Sequence, residues 1–141
     1  MDNGGRRPYV LKSGEGRTYS YGIDFTIKAG ELGRGQRVAI VEYATRPGEE
    51  PPDHTHTTED EHFYVLQGAL TFRCGDETFE VDEGGFVFLP RGIQHGYTIH
   101  SDSRLLVVTA PAQDDADGGW GGFVADFEAE GELRVTPPGS G

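Results

Sequence analysis

The sequence predicts an all-β protein, a single barrel of antiparallel strands. Three observations carry this. Apolar residues recur with a period of two in segment after segment between residues 17 and 110, the spacing that puts alternate side chains on one face of a strand. No window in that span shows a helical period. The 22 glycines and 8 prolines of the 141-residue chain supply the tight turns that such a fold consumes.

The elements follow in order. In TYSYGIDFTI (18–27), Tyr19, Tyr21, Ile23, Phe25 and Ile27 alternate with smaller or polar residues and predict a first strand. ELGRGQ (31–36) reads as a turn and RVAIVEYA (37–44), rich in β-branched residues, as the next strand. Proline and glycine crowd TRPGEEPPD (45–53), which predicts a loop. HFYVLQG (62–68) is a strand, and ALTFRCGDETFEV (69–81) a hairpin turning at Gly75-Asp76. GGFVFLPRG (84–92) is a short apolar strand between a glycine pair and a proline turn. HGYTIH (95–100) and RLLVVTAP (104–111) complete the set, parted by the polar SDS. The expected division is a barrel over 1–111 and an acidic, glycine-rich tail over 112–141. Within that tail FVADFEAEGEL (123–133) predicts one or two helical turns, with Phe123, Val124 and Phe127 on a common side.

Charge narrows the partners. A formal net charge of −12 repels phosphate backbones and anionic lipid, so nucleic acid and membranes are excluded and a small molecule is expected. The single cysteine, Cys74, rules out an internal disulfide framework and suits a reducing compartment. MDNGGRRPYV lacks the apolar stretch of a signal peptide, and a cytoplasmic location is expected.

The chemistry concentrates in PPDHTHTTEDEHFYVLQG (51–68). Side chains two apart on a strand project together, so His54 and His56 would share a face and Glu61 could return on the next strand to meet them. His95, just beyond a Pro-Arg-Gly turn, can face that group across a barrel. Three imidazoles and a carboxylate suit Fe(II), Ni(II), Mn(II), Co(II) or Zn(II) and leave room for a further ligand. His62, next to Glu61, would point to the opposite face. Asp60 reads as a solvated acid, His100 as a surface residue at a strand end, and Cys74 as a small core residue. The same parity puts Phe63 and Val65 inside with Glu61, Tyr97 and Ile99 inside with His95, and Leu70, Phe72 and Cys74 on one face, with Tyr43 joining them. A narrow, largely apolar and aromatic pocket of Tyr43, Phe63, Phe72, Tyr97 and Ile99 beneath the metal is the expectation, with Tyr97 as its polar contact.

Two motifs give these residues a family resemblance. Gly48, His54, His56, Glu61 and Gly68 stand at the spacings of the first cupin motif, and Gly84, Pro90, Gly92 and His95 at those of the second. Ile99 stands where the second motif has asparagine, a position that holds no metal. Between residues 36 and 110 the chain therefore resembles the cupin superfamily, and in particular the small single-domain cupins related to quercetin 2,3-dioxygenase. The resemblance implies a jelly-roll β-barrel with its core motifs over 48–99, and one divalent transition metal per chain on His54, His56, Glu61 and His95. Iron, nickel or manganese is expected, with zinc an alternative. It further implies a homodimer and dioxygenase-like chemistry on an aromatic or enolizable, polyketide- or flavonoid-like metabolite, Glu61 doubling as a base. Non-redox cyclase, isomerase, dehydratase or decarboxylase chemistry is the alternative, and ligand binding without catalysis the second.

Overall fold

The computed structural model describes residues 7–30, 38–110 and 132–135, and within them two antiparallel sheets face one another. The larger sheet takes β1 (Arg17–Tyr21), β2 (Ile23–Ala29), β3 (Ala39–Thr45), β4 (Asp60–Gln67), β7 (Phe86–Leu89), β9 (Ser103–Ala110) and β10 (Glu132–Val135). Their spatial order is β10-β1-β2-β3-β9-β4-β7. The smaller sheet takes β5 (Ala69–Cys74), β6 (Glu77–Asp82) and β8 (His95–Ile99), in the order β6-β5-β8. This is the all-β jelly roll the sequence predicts. Among the described residues no helix is long and apolar enough to cross a membrane.

Alternation builds the interior. β3 and β9 bury every second residue, and β4 does so through Glu61, Phe63 and Val65. Strand register then stacks these residues in layers. Glu61, Thr109 and Ala39 lie side by side at one end of the large sheet, then Phe63, Val107 and Val41, then Val65, Leu105 and Tyr43. Across the barrel, His95 pairs with Cys74, Tyr97 with Phe72, and Ile99 with Leu70. Ionisable side chains thus occupy one layer at the end of an apolar stack. That stack is held by the burial of Phe72, Leu70, Val41, Val65, Leu105 and Val107, each of which contributes on the order of 1.5–3 kcal/mol relative to exposure.

The turns behave as the glycines require. Gly68, Gly84 and Gly92 have φ of +102°, +85° and +82°, values that a side chain resists. At Gly68 an added Cβ would also run into Ser103. The β5–β6 hairpin turns at Gly75-Asp76, as expected.

Three expectations need correction. The segment 18–27 is not one strand: it folds back at Gly22, φ +83°, into the β1–β2 hairpin, pairing Tyr19 with Phe25 and Tyr21 with Ile23. His54 and His56 are not on a regular strand; His54 makes an isolated bridge to His95, and the chain runs on irregularly past His56. Of the helical segment expected over 123–133, Glu132 and Leu133 belong to strand β10, which lies antiparallel to β1, and the rest falls outside the described residues.

Candidate metal centre

The main chain brings the four candidate ligands together. Two reciprocal hydrogen bonds, His54 N to the His95 carbonyl at 2.9 Å and His95 N to the His54 carbonyl at 2.8 Å, tie the loop before β4 to the start of β8. Gly92 N donates to the His56 carbonyl at 2.7 Å, which fixes the second histidine against the turn that presents His95. Glu61 enters from β4, directly opposite Thr109 on β9.

Ion pairs clamp the same loop from outside. Arg73 on β5 donates to Asp53 from Nη2 at 2.8 Å, and an added Cβ at Gly96 would collide with that Asp53 carboxylate. Arg91 grips Asp60 through its backbone N, Nε and Nη2 at 2.9, 3.1 and 3.1 Å. Asp60 is therefore not the solvated acid expected: its hydrogen bonds from Arg91 hold its carboxyl below the usual range.

The side chains then converge. Glu61 Oε1 lies 3.0 Å from His56 Nε2 and 2.9 Å from His95 Nε2, and His54 Nε2 lies 3.1 Å from His56 Nε2. His54 Nε2 and Glu61 Oε1 are 4.0 Å apart, and one donor atom from each of the four residues falls within 4.8 Å of all the others. Burial pushes the Glu61 carboxyl upward, but its contacts with His56 and His95 and their charge outweigh this and bring it to about 2, so it is ionised.

These separations are short enough for hydrogen bonds, yet Glu61 Oε1 and His95 Nε2 make none of acceptable geometry. Atoms aimed at one shared point rather than at each other produce that combination. The His54 tautomer agrees: with Nδ1 3.0 Å from the Pro52 carbonyl, an Nδ1–H donates there and leaves the Nε2 lone pair facing the cluster. A fit test follows from bond lengths. With metal–ligand bonds of about 2.1 Å, donors at right angles sit about 3.0 Å apart and tetrahedral donors about 3.4 Å apart. The observed contacts of 2.9, 3.0 and 3.1 Å match right angles, and the longer 4.0 Å contact matches a wide angle. The donor set fits a single divalent ion. Access is from the His54 side, whose side chain is 40% exposed while Glu61 and His95 are each 3% exposed.

The remaining predicted residues fall as follows. Tyr43, Phe63, Phe72, Tyr97 and Ile99 are all buried. The rings of Phe63, Phe72 and Tyr97 pack within 5.1 to 5.8 Å of one another, and Tyr43 and Tyr97 share a buried 2.9 Å hydroxyl contact. Burial pushes both phenols up, Tyr97 to about 12 and Tyr43 well above its ordinary value, so both keep their protons. His62 faces outward with its Nδ1 3.0 Å from the Val108 carbonyl, His100 is exposed, and Cys74 is buried. Sequence reasoning missed two buried polar residues, Glu59 and Thr109. Glu59 Oε1 lies 3.9 Å from His56 Nδ1, and the Thr109 hydroxyl, one strand from Glu61, is buried without a hydrogen-bond partner among the described residues. The period of two that runs through Glu61 and Phe63 reaches Glu59, and the one through Leu105 and Val107 reaches Thr109, so the signal was present for both.

Comparison with known proteins agrees with this geometry. A family model described as "Cupin domain" matches residues 41–110. The quercetin 2,3-dioxygenase of Bacillus subtilis is 31% identical over 72% of this chain, but the match spans only 31% of that enzyme. An uncharacterized protein of Streptomyces coelicolor is 31% identical over 57% of this chain and 76% of its own length. Among solved structures, a predicted oxalate decarboxylase from Thermotoga maritima superposes with a TM-score of 0.62 at 17% identity, covering 74% of this chain and 99% of that one. That likeness concerns the fold alone.

Proposed function

The chain belongs to the cupin family, and from that premise we propose that it is a metal-dependent enzyme of small organic molecules, with dioxygenation of an aromatic or enolizable substrate as its reaction. The observation that carries the reading is the donor spacing at His54, His56, Glu61 and His95, which fits one ion at the end of an apolar interior. A divalent iron, nickel or manganese ion bound there would polarise a substrate oxygen and provide one-electron chemistry with dioxygen. The likeness to quercetin 2,3-dioxygenase supports the substrate class, although the chain spans about a third of that enzyme's length.

The protein's own residues have distinct tasks. Glu61 is ionised, and its second carboxylate oxygen can take the proton of a substrate hydroxyl as the substrate oxyanion forms. In the Tyr43–Tyr97 pair one hydroxyl donates to the other, which leaves a single O–H to donate to a substrate oxygen. Phe63, Phe72 and Ile99 pack as apolar core beneath the site and keep water from that side of it.

Metal content per chain as purified, followed by oxygen-uptake assays on flavonols and enolizable diketones, tests the proposal. Near-stoichiometric iron, nickel or manganese with substrate-dependent oxygen consumption is the expected result. Stoichiometric zinc and no oxygen uptake with any metal would overturn the redox reading in favour of cyclase, isomerase, dehydratase or decarboxylase chemistry. A chain that takes up no metal would be a binding protein.

A further inference from the structure

The loop that carries His54 and His56 keeps its residues exposed or half-buried until it reaches Glu59, which is 5% exposed. Taking a carboxylate out of water is costly unless it meets a partner. Glu59 Oε1 lies 3.9 Å from His56 Nδ1, an ion-pair distance. The other nitrogen of that ring, Nε2, lies 3.0 Å from Glu61 Oε1 and 3.1 Å from His54 Nε2. One imidazole thus faces the ligand cluster with one nitrogen and a buried carboxylate with the other.

The backbone holds this pair from both ends. Asp60 turns outward to Arg91, while Glu59 and Glu61 on either side of it are buried. Arg91 N donates to the Asp60 carboxylate at 2.9 Å, and Gly92 N donates to the His56 carbonyl at 2.7 Å. Two consecutive amides of one turn therefore anchor both ends of the segment 56–60. The bend at Thr57-Thr58 between these anchors brings ring and carboxylate side by side, three residues apart.

The three histidines differ in what their outer nitrogen meets. His54 Nδ1 faces the Pro52 carbonyl at 3.0 Å, and His56 Nδ1 faces the Glu59 carboxylate. The buried His95 Nδ1 has no hydrogen-bond partner among the described residues. A carboxylate behind a ligating imidazole fixes the tautomer and raises the basicity of the nitrogen that binds the metal. It also balances charge. A divalent ion with three neutral imidazoles and the Glu61 carboxylate leaves one positive charge in a buried site, and a second carboxylate cancels it.

We propose that Glu59 is a positioning residue for His56, its carboxylate accepting the Nδ1 proton and holding Nε2 toward the ion. The separation of 3.9 Å closes to hydrogen-bond length with an adjustment of about 1 Å. This inference rests on the reading of the four donors as a metal site and not on the reaction proposed for it.

Zinc and cobalt(II) titrations of the full apo chain against a chelating dye test it. Losing the outer partner of a histidine ligand typically costs about 10- to 100-fold in affinity. Glu59→Ala should show that loss, and Glu59→Gln, which keeps an acceptor without its charge, a smaller one. The cobalt spectrum should keep the parent's band shape in both, because the ligand number is unchanged. Glu83→Gln makes the same change in charge at an exposed position before β7, at the end of that strand away from Leu89 and Glu61, and should leave the affinity unchanged. One measurement needs no variant. Long-range proton–nitrogen NMR correlations of the zinc-loaded parent should show His56 protonated at Nδ1. Affinities of both Glu59 variants within threefold of the parent, with circular dichroism intact, would overturn the proposal. So would His56 protonated at Nε2, equal weakening by Glu83→Gln, or a cobalt spectrum that loses a ligand in Glu59→Gln, which would make Glu59 a ligand itself. A parent that takes up neither metal would overturn the metal site and this inference with it.

Discussion

Replacing His95 with alanine separates the metal site from the fold that carries it. The two hydrogen bonds joining His95 to His54 are both main-chain, so alanine keeps them. What it removes is Nε2, 2.9 Å from Glu61 Oε1, one of four donors around a single point. Protein sites with four ligands bind zinc with about 10–16 kcal/mol, or roughly 2.5–4 kcal/mol per ligand. The dissociation constant should therefore rise by about 100- to 1,000-fold. Competition with a chelating dye, using zinc or cobalt and the apo protein, measures it directly, and the cobalt spectrum reports the change in ligand number. His62→Ala is the control, because that ring lies on the outer face near the Val108 carbonyl and should leave the affinity unchanged. An affinity for His95→Ala within threefold of the parent, with circular dichroism intact, would refute convergence of the four donors on one ion.

Other outcomes follow from the surrounding structure. Alkaline titration followed at 295 nm should show a late phase, Tyr97 at about pH 12 and Tyr43 well above the ordinary tyrosine range, absent in the double phenylalanine variant; a late phase that survives both substitutions contradicts the assignment. Gly68→Ala should destabilise the fold by about 1–3 kcal/mol in urea, because it forces a positive φ and meets Ser103, and a neutral effect would mean the turn relaxes freely. Phe72→Ala should cost about 3–5 kcal/mol, since the ring is fully buried among Phe63 and Tyr97. Asp60 has a depressed folded-state pKa, so its contribution is present above the unfolded value of about 3.9 and lost as pH falls below it. The melting temperature of Asp60→Asn should thus lie below that of the parent at pH 7 and converge with it only as the pH falls through the depressed folded-state value.

Much of the fold was legible because burial in this barrel obeys strict alternation, and each half-buried strand writes that alternation into the sequence. The same rule explains the hairpin that was missed. Pairing about Gly22 sets Tyr21 opposite Ile23 and Tyr19 opposite Phe25, so odd-numbered residues share one face on both arms and the period of two passes through the turn unbroken. The four ligands were legible because their spacings are local to two short segments. The clamps around them were not. Asp53 meets Arg73 across 20 positions and Asp60 meets Arg91 across 31, and an acidic chain offers each arginine many carboxylates of equal merit. Glu59 was hidden for a different reason. It stands just before β4, in a stretch whose composition reads as loop, although the period of two through Glu61 and Phe63 extends to it.

The reciprocal bridge between His54 and His95 has an evolutionary consequence. The positions of two ligands are held by amides and carbonyls that every residue but proline possesses. Side chains at 54 and 95 can therefore be exchanged, and the identity of the bound ion or its loss explored, without disturbing the frame that holds them. Descendants of such a chain are free to change their chemistry one substitution at a time while inheriting the same architecture.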